Sequence, residues 1–502
     1  MTFDLVSEPW IPVQTEGELV EVSLSELFER PTEFRDLAVS FGPERMALTR
    51  ILAAVVMSAA EGPVDDNAKL SWLQDPASHA SRVLEYLERW RERFDLFHPE
   101  RPFMQQPIKP AHCKKPLSIA ALAIDWASGR NVTLFDHHYD DEPPAVSPAR
   151  AVRMLLTTLL YQPCGGASYP FYRTDSPGTK PVMVIALGRN LWQTLVGACP
   201  SASGRPRAVD EANRRAGKAD GPAWERDLDA DKPNKEGSRP RGPIDRLTWR
   251  SRAIQLLPSS DGAVRQARLH QHLKLADDVP PDPYVPVRQR EGEEPKVLRV
   301  RPGRRLWRDA DGIFYGTAER EHPTMISEAV GLFGMVEPDF MPRLLCVGLQ
   351  VKNQGGEVAD CREALLPVSE DLLKEPDRLD MVAHALEAAE GGAAAIAAAV
   401  KTLNERIARW QEPYWGRLRE PFLAFVDEVA SADDAPGVNS EPWAHWVDGV
   451  RGAAWEVMDL LWSVKSGGDD RAFMRLAQAR GALRRTLNAR VPKVEVASAE
   501  GV

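Results

Sequence analysis

A run of apolar residues at alternating intervals of four and three, in the last third of the chain, most constrains the fold. Val382, Leu386, Ala389, Ala393, Ile396, Val400, Leu403, Ile407 and Trp410 keep that spacing throughout. Residues so spaced share one stripe of an α-helix, the seam of a helix bundle. The stripe predicts a continuous seam, with Gly391-Gly392 as a kink or split. Further helices are expected near Tyr414–Ala430, Pro442–Val464 and Asp469–Val491. Together they predict a C-terminal four-helix bundle over residues 370–502.

Residues 1–369 mix both kinds of element, so the fold class expected is α+β. Trp10-Ile11-Pro12-Val13 and Leu19-Val20-Glu21-Val22 read as short strands around a Glu16-Gly17 turn. Ser23-Leu24-Ser25-Glu26 has the form of a capping box, with a helix through Phe28. Helices are expected over Glu44–Ala60, near Ala80–Phe94 and over Ala149–Tyr161, the last with Val152, Leu155, Leu156, Leu159 and Leu160 on its apolar side. Val182–Leu187, Ala253–Leu257, Lys296–Val300 and Leu344–Val351 read as strands. Ser201–Pro243, charged and rich in Gly and Pro, reads as a long loop.

The formal net charge is −10 over 502 residues, which argues against a protein that simply coats nucleic acid. Local patches still matter. Arginines crowd residues 201–306 (Arg239, Arg241, Arg246, Arg250, Arg252, Arg265 and Arg268 among them), and the last helix carries Arg471, Arg475, Arg480, Arg484, Arg485 and Arg490 with no acidic residue between Arg471 and Lys493. Such a face can neutralise phosphates, or meet solvent or an acidic partner. The N-terminus MTFDLVSEPW lacks the pattern of a signal peptide and no apolar run reaches membrane-spanning length, so a cytoplasmic protein with no membrane partner is expected. The 5 cysteines are scattered without a CxxC pair, so neither a cysteine zinc site nor a disulfide framework is expected.

No phosphate-binding glycine loop, dinucleotide fingerprint or nucleophile elbow appears. The most enzyme-like string is Asp136-His137-His138-Tyr139-Asp140, which could hold a divalent metal and supports an alternative reading as a metal-dependent phosphoesterase or nuclease. A solvated loop is the plainer reading. Gly165-Gly166 follow an apolar helix, as a turn or as a place where backbone approaches a ligand. Asn353-Gln354-Gly355-Gly356 follow an apolar strand, as a tight turn that could project amides.

Several of these strings, in order, carry a resemblance. Trp10-Ile11-Pro12-Val13, Pro102-Phe103-Met104-Gln105, the loop around Phe135, Gly165-Gly166 before a buried strand, Leu247-Thr248-Trp249, Asn353-Gln354 and the helical C-terminus resemble the large subunit (Cse1/CasA) of the type I-E CRISPR surveillance complex, Cascade. The resemblance covers most of the chain. It implies a non-catalytic subunit without cofactor or metal, which reads a protospacer-adjacent motif in double-stranded DNA from the minor groove. Its implied partners are the other Cascade subunits, the guide RNA through the complex, the target duplex and a helicase-nuclease that does the cutting. By that resemblance Gly165, Gly166, Asn353 and Gly355 lie at the groove, Gln354 is a wedge between base pairs, and Phe135 touches the guide-bearing end. The family's lysine finger is missing. Leu257–His272 offers Arg265 and Arg268 instead, with Arg265 expected in that place. Arg471, Arg475, Arg480 and Arg484 are expected on the DNA backbone.

Overall fold

The computed structural model describes the chain except residues 61–64, 110, 114, 127–143, 165–171, 202–218, 229–230, 289–295, 318–323, 353–356, 466–469 and 493–502. It divides into two compact units. The first comprises Met1–Leu306 and Gly316–Leu365, and the second Trp307–Tyr315 and Leu366–Val502.

The first unit is mixed α and β. Strands β1 (Ile11–Gln14), β2 (Leu19–Val22) and β3 (Asp36–Leu37) form a small sheet in the order β2-β1-β3. Helix α1 (Leu24–Glu29) follows. The Ser23 hydroxyl accepts from Glu26 N–H and the Glu26 carboxylate accepts from Ser23 N–H, so the expected capping box is formed. Helix α2 (Gly42–Ser58) is buried on nearly every side and runs through the core. It includes buried Glu44 and Arg50, so its charges need internal partners. Helices α3 (Asp66–Gln74) and α4 (Pro76–Arg89) each start on an aspartate cap, Asp65 and Asp75. The helix expected from Ala80 thus begins four residues earlier.

Helix α5 (Pro148–Tyr161) leads, beyond residues 165–171, to β5 (Met183–Leu187) and α6 (Leu191–Gly197). A short helix α7 (Pro243–Leu247) precedes a sheet of β4 (Leu117–Ser118), β7 (Val264–Gln271) and β6 (Arg252–Pro258), in the order β4-β7-β6. Strands β8 (Val287–Arg288) and β9 (Lys296–Val297) pair next, so the strand expected over Lys296–Val300 is shorter. Helix α8 (Ala310–Thr317) lies mostly in the second unit, and α9 (Met325–Val336) comes before β10 (Arg343–Val351) and β11 (Val358–Pro367), which join β5 in the order β11-β10-β5.

The second unit is helical. It contains α10 (Glu370–Lys374), α11 (Pro376–Thr402), α12 (Ile407–Ser431), α13 (Glu441–Lys465) and α14 (Asp470–Arg490). Its interior is aromatic. Trp307 packs on Trp415 and Phe422, and Phe422 on Trp446. Trp446 donates its indole N–H to Ala385 O at 3.0 Å and Tyr414 its hydroxyl to Ala389 O at 2.7 Å, so both bury their polar ends satisfied.

Two expectations about the seam are corrected. The helix ends at Thr402, and Asn404 turns the chain with φ 54°, so Ile407 and Trp410 belong to the next helix although the spacing continues through them. Gly391-Gly392 do not split α11, which runs unbroken from Pro376 to Thr402. A Cβ at Gly391 would stand 2.8 Å from Arg490 O, and one at Gly392 would collide with the Tyr414 hydroxyl. The glycines let a neighbouring backbone and ring approach closely.

Candidate nucleic-acid interface

The β6–β7 hairpin carries the two arginines expected at DNA. Its turn is built on Asp261-Gly262, where Gly262 takes φ +84° and Ala263 N–H donates to Asp261 Oδ1 at 3.1 Å. Asp-Gly between two strand-like runs is a hairpin signal that the sequence analysis above does not use. Pairing runs Leu257 to Gln266 and then Pro258 to Val264, so Arg265 is the extra residue of a β-bulge. Bulges re-aim side chains at sheet edges. Arg265 Nη1 donates to Asp261 Oδ1 at 2.9 Å, and Nη2 lies 2.7 Å from Oδ2. Arg268, half-buried, donates to Gln255 Oε1 at 3.1 Å.

Other segments join the same strand. Val146 exchanges backbone hydrogen bonds with Val264, next to Arg265. At the far end of β7, Gln271 Oε1 accepts from Thr174 N–H at 2.6 Å, and His272 O accepts from the Tyr172 hydroxyl. Six residues at about 3.4 Å separate Arg265 from Gln271, roughly 20 Å along the strand.

Arg252 clamps a neck formed by Gln162 and Thr174. Its Nη2 donates to Gln162 O at 2.7 Å on one side and to Thr174 O at 2.8 Å on the other. The side chain is buried, and that desolvation pulls its pKa down to about 10 despite Asp175 nearby. Asp175 accepts from Cys164 N–H at 2.9 Å and pairs with Lys180 at 2.6 Å. Ser176 joins the neck to β6 through Ser251, Oγ to Oγ 2.8 Å. The sequence analysis counts Arg252 only as one charge of an arginine-rich segment; the one signal for its clamping role is a charged residue opening an apolar strand.

One arginine fastens this platform. Arg50 on α2 donates to Leu247 O and Arg246 O before the hairpin, and to both oxygens of Asp282 after it, the last two at 2.7 Å. Arg246 adds a bond to Asp282 at 3.2 Å. Nearby, Arg226 reaches Asp231 and Asp245, and Arg250 also reaches Asp231. Among the described arginines of the segment read for local charge, Arg226, Arg246, Arg250 and Arg252 are internal wiring. Arg246, Arg250 and Arg252 are consumed by buried carboxylates and carbonyls because a charge cut off from solvent needs such partners.

Strands β10 and β11 meet where Lys352 N–H donates to Glu357 O at 2.9 Å, with a Lys352–Glu357 ion pair at 2.6 Å. β10 pairs with β5 only over Arg343–Val347. Gly348–Val351 then run on for roughly 13 Å at strand rise. Burial falls away along them, from buried Leu349 to exposed Lys352. Asn353, Gln354 and Gly355 lie outside the described residues, as do Gly165, Gly166, Phe135, Asp136, His137, His138 and Asp140. Among the described residues, no three His, Cys, Asp or Glu side chains gather as a metal-ligand set.

In the second unit, Leu476, Ala479, Leu483 and Leu487 bury one side of α14. Arg471, Arg475, Arg480, Arg484, Arg485 and Arg490 are all exposed. They surround the helix rather than lining one stripe. Arg480 lies over Trp455 at 5.4 Å and Trp462 at 5.9 Å.

Comparison with known proteins agrees with this architecture. The family model for CRISPR-associated protein Cse1 matches residues 4–457. A curated relative from Thermus thermophilus, described as CRISPR-associated protein CasA/Cse1, is 29% identical over 447 residues, covering 86% of this chain and 83% of the relative. A crystal structure of CasA from Thermus thermophilus superposes with TM-score 0.77 at 24% identity, covering 97% of this chain and 100% of that one. Thermobifida fusca Cse1 gives 0.77 at 22% identity, covering 98% and 99%. The chain belongs to the CRISPR-associated protein Cse1 family. No helix among the described residues is long and apolar enough to cross a membrane.

Proposed function

We propose that this chain is the non-catalytic large subunit of a type I-E RNA-guided surveillance complex, Cascade, and that it reads a protospacer-adjacent motif in duplex DNA from the minor groove. The observation that carries the reading is the family match over residues 4–457. A chain of a CRISPR RNA-guided surveillance complex also has this fold, with TM-score 0.73 at 23% identity and coverage of 96% of this chain and 99% of that one. The minor groove offers a poor donor and acceptor code, so a reader there depends on close backbone approach and groove width. Gly165 and Gly166 supply that approach, and Asn353 and Gly355 sit beside base edges. Gln354 is the wedge that starts strand separation. Opening one step costs a few kcal/mol, offset by contacts and guide pairing.

Arg265 takes the place of the lysine finger, with Arg268 beside it on β7. Phe135 contacts the guide-bearing end. Arg471, Arg475, Arg480 and Arg484 hold the DNA backbone. The subunit works in the cytoplasm in antiviral defence, with the other Cascade subunits and the guide RNA, and cutting falls to a recruited helicase-nuclease.

The test is duplex binding by the reconstituted complex, with and without this chain, on targets with intact and substituted motifs. The reading requires motif-dependent binding that disappears without the chain and drops at least tenfold with Gly166→Leu. Motif dependence that survives both changes refutes it.

A further inference from the structure

The Asp261–Arg265 pair at the tip of the β6–β7 hairpin is built for exchange. The guanidinium of Arg265 presents two N–H groups to two carboxylate oxygens, at 2.9 and 2.7 Å. That fork geometry is the one arginine uses for a phosphate. The carboxylate is itself fixed, because Oδ1 also accepts from Ala263 N–H across the turn. Both side chains are open to solvent, 37% for Arg265 and 52% for Asp261, so water screens the pair and exchanging one oxyanion for another costs little. The bulge at Arg265 aims the pair from the hairpin tip rather than into the sheet.

We propose that Asp261 is an internal stand-in for a DNA phosphate: it occupies Arg265 in the free protein and yields it when duplex DNA binds. This rests on the reading of Arg265 as a DNA contact. Every binding event must then displace a carboxylate from Arg265. Asp261 therefore restrains binding to any duplex, and it keeps an exposed arginine from holding non-target DNA.

The test uses the reconstituted complex and duplexes with intact and substituted motifs, with the chain as wild type, Asp261→Asn, Arg265→Ala and the double variant. Asparagine keeps an oxygen for Ala263 N–H, so the turn survives, and an unchanged Tm checks this. Asp261→Asn is expected to tighten binding about two- to fivefold on both duplexes. It also steepens the dependence of log K on log salt, by up to about one unit. In the Arg265→Ala background the gain disappears. If Asp261→Asn changes nothing while Arg265→Ala weakens binding, the stand-in role is wrong and the DNA contact stands. If the gain persists without Arg265, it is general charge and the stand-in role is again wrong. If Arg265→Ala leaves every duplex unaffected, Arg265 is not a DNA contact and both ideas fall.

Discussion

Replacing Asp282 with asparagine tests how the β6–β7 hairpin is held. Arg50 fastens the chain on both sides of β6 and β7, through Arg246 O and Leu247 O before them and Asp282 after them. Both partners are 3% exposed, so the pair is desolvated. Removing one member of such a pair leaves the other buried and uncompensated, which costs about 3–5 kcal/mol. That is a large part of an ordinary stability of about 5–15 kcal/mol.

The same pair has an acid signature. Burial favours the neutral form of Asp282, but Arg50 outweighs it and holds the carboxyl at about 2. The folded pKa thus lies below the unfolded value of about 3.9. The stabilisation is complete above about pH 4 and is lost as pH falls towards 2, about 2–3 kcal/mol in all. Denaturant titration of Asp282→Asn at neutral pH is expected to show a loss of about 3–5 kcal/mol, and a weaker fall of stability between pH 4 and 2. A loss under about 1 kcal/mol, with unchanged acid dependence, would show that the hairpin is fastened some other way.

Other outcomes follow from single contacts. Arg252→Gln removes the clamp on Gln162 O and Thr174 O. Hydrogen exchange is expected to speed up at Cys164 and Thr174, with a global loss of about 1–3 kcal/mol by denaturant titration. Gly391→Ala would raise helix propensity by about 1 kcal/mol. Its Cβ would nevertheless crowd Arg490 O, so a net loss of roughly 1–3 kcal/mol is expected, read as a lower Tm. His272 is buried, and desolvation, ahead of the nearby Arg250 charge, lowers its pKa to about 3. The unfolded chain takes up a proton near pH 6.5 that the folded chain refuses, so stability declines as pH falls from about 6.5 towards 3. Neither ring nitrogen has a hydrogen-bond partner among the described residues, and His272→Phe is expected to flatten that decline in a pH series of melts.

Elements set by local chemistry were legible in the sequence. The Ser23–Glu26 capping box, α5 with its apolar side, β5 and the C-terminal helices follow from residue spacing and end signals. Where contacts are distant, spacing misleads. The seam continues through Leu403 and Ile407, yet Asn404 in a left-handed turn divides it between two helices. Gly391-Gly392 look like a helix breaker until Arg490 and Tyr414 are placed against them. Arginine density over residues 239–252 suggests a binding face, but Asp231, Asp282 and backbone carbonyls hold Arg250, Arg246 and Arg252 inside. The assignment of Trp307–Tyr315 to the helical unit depends on Trp415 and Phe422, more than a hundred residues away. Of the expected DNA contacts in the first unit, Arg265 and Arg268 were legible as charges. The bulge and the Asp261 pairing that set their reach were not, because both arise from strand register.

The most direct test of the central claim is the rate of strand opening by the reconstituted complex, with wild-type chain and with Gln354→Ala. It is measured on a fully paired target and on one already unpaired at the motif end. The account predicts slower opening of the paired target by Gln354→Ala, and near-equal rates on the pre-opened one. Equal rates on both targets would contradict it, and motif reading would then rest on the glycine loop and Arg265 without a wedge.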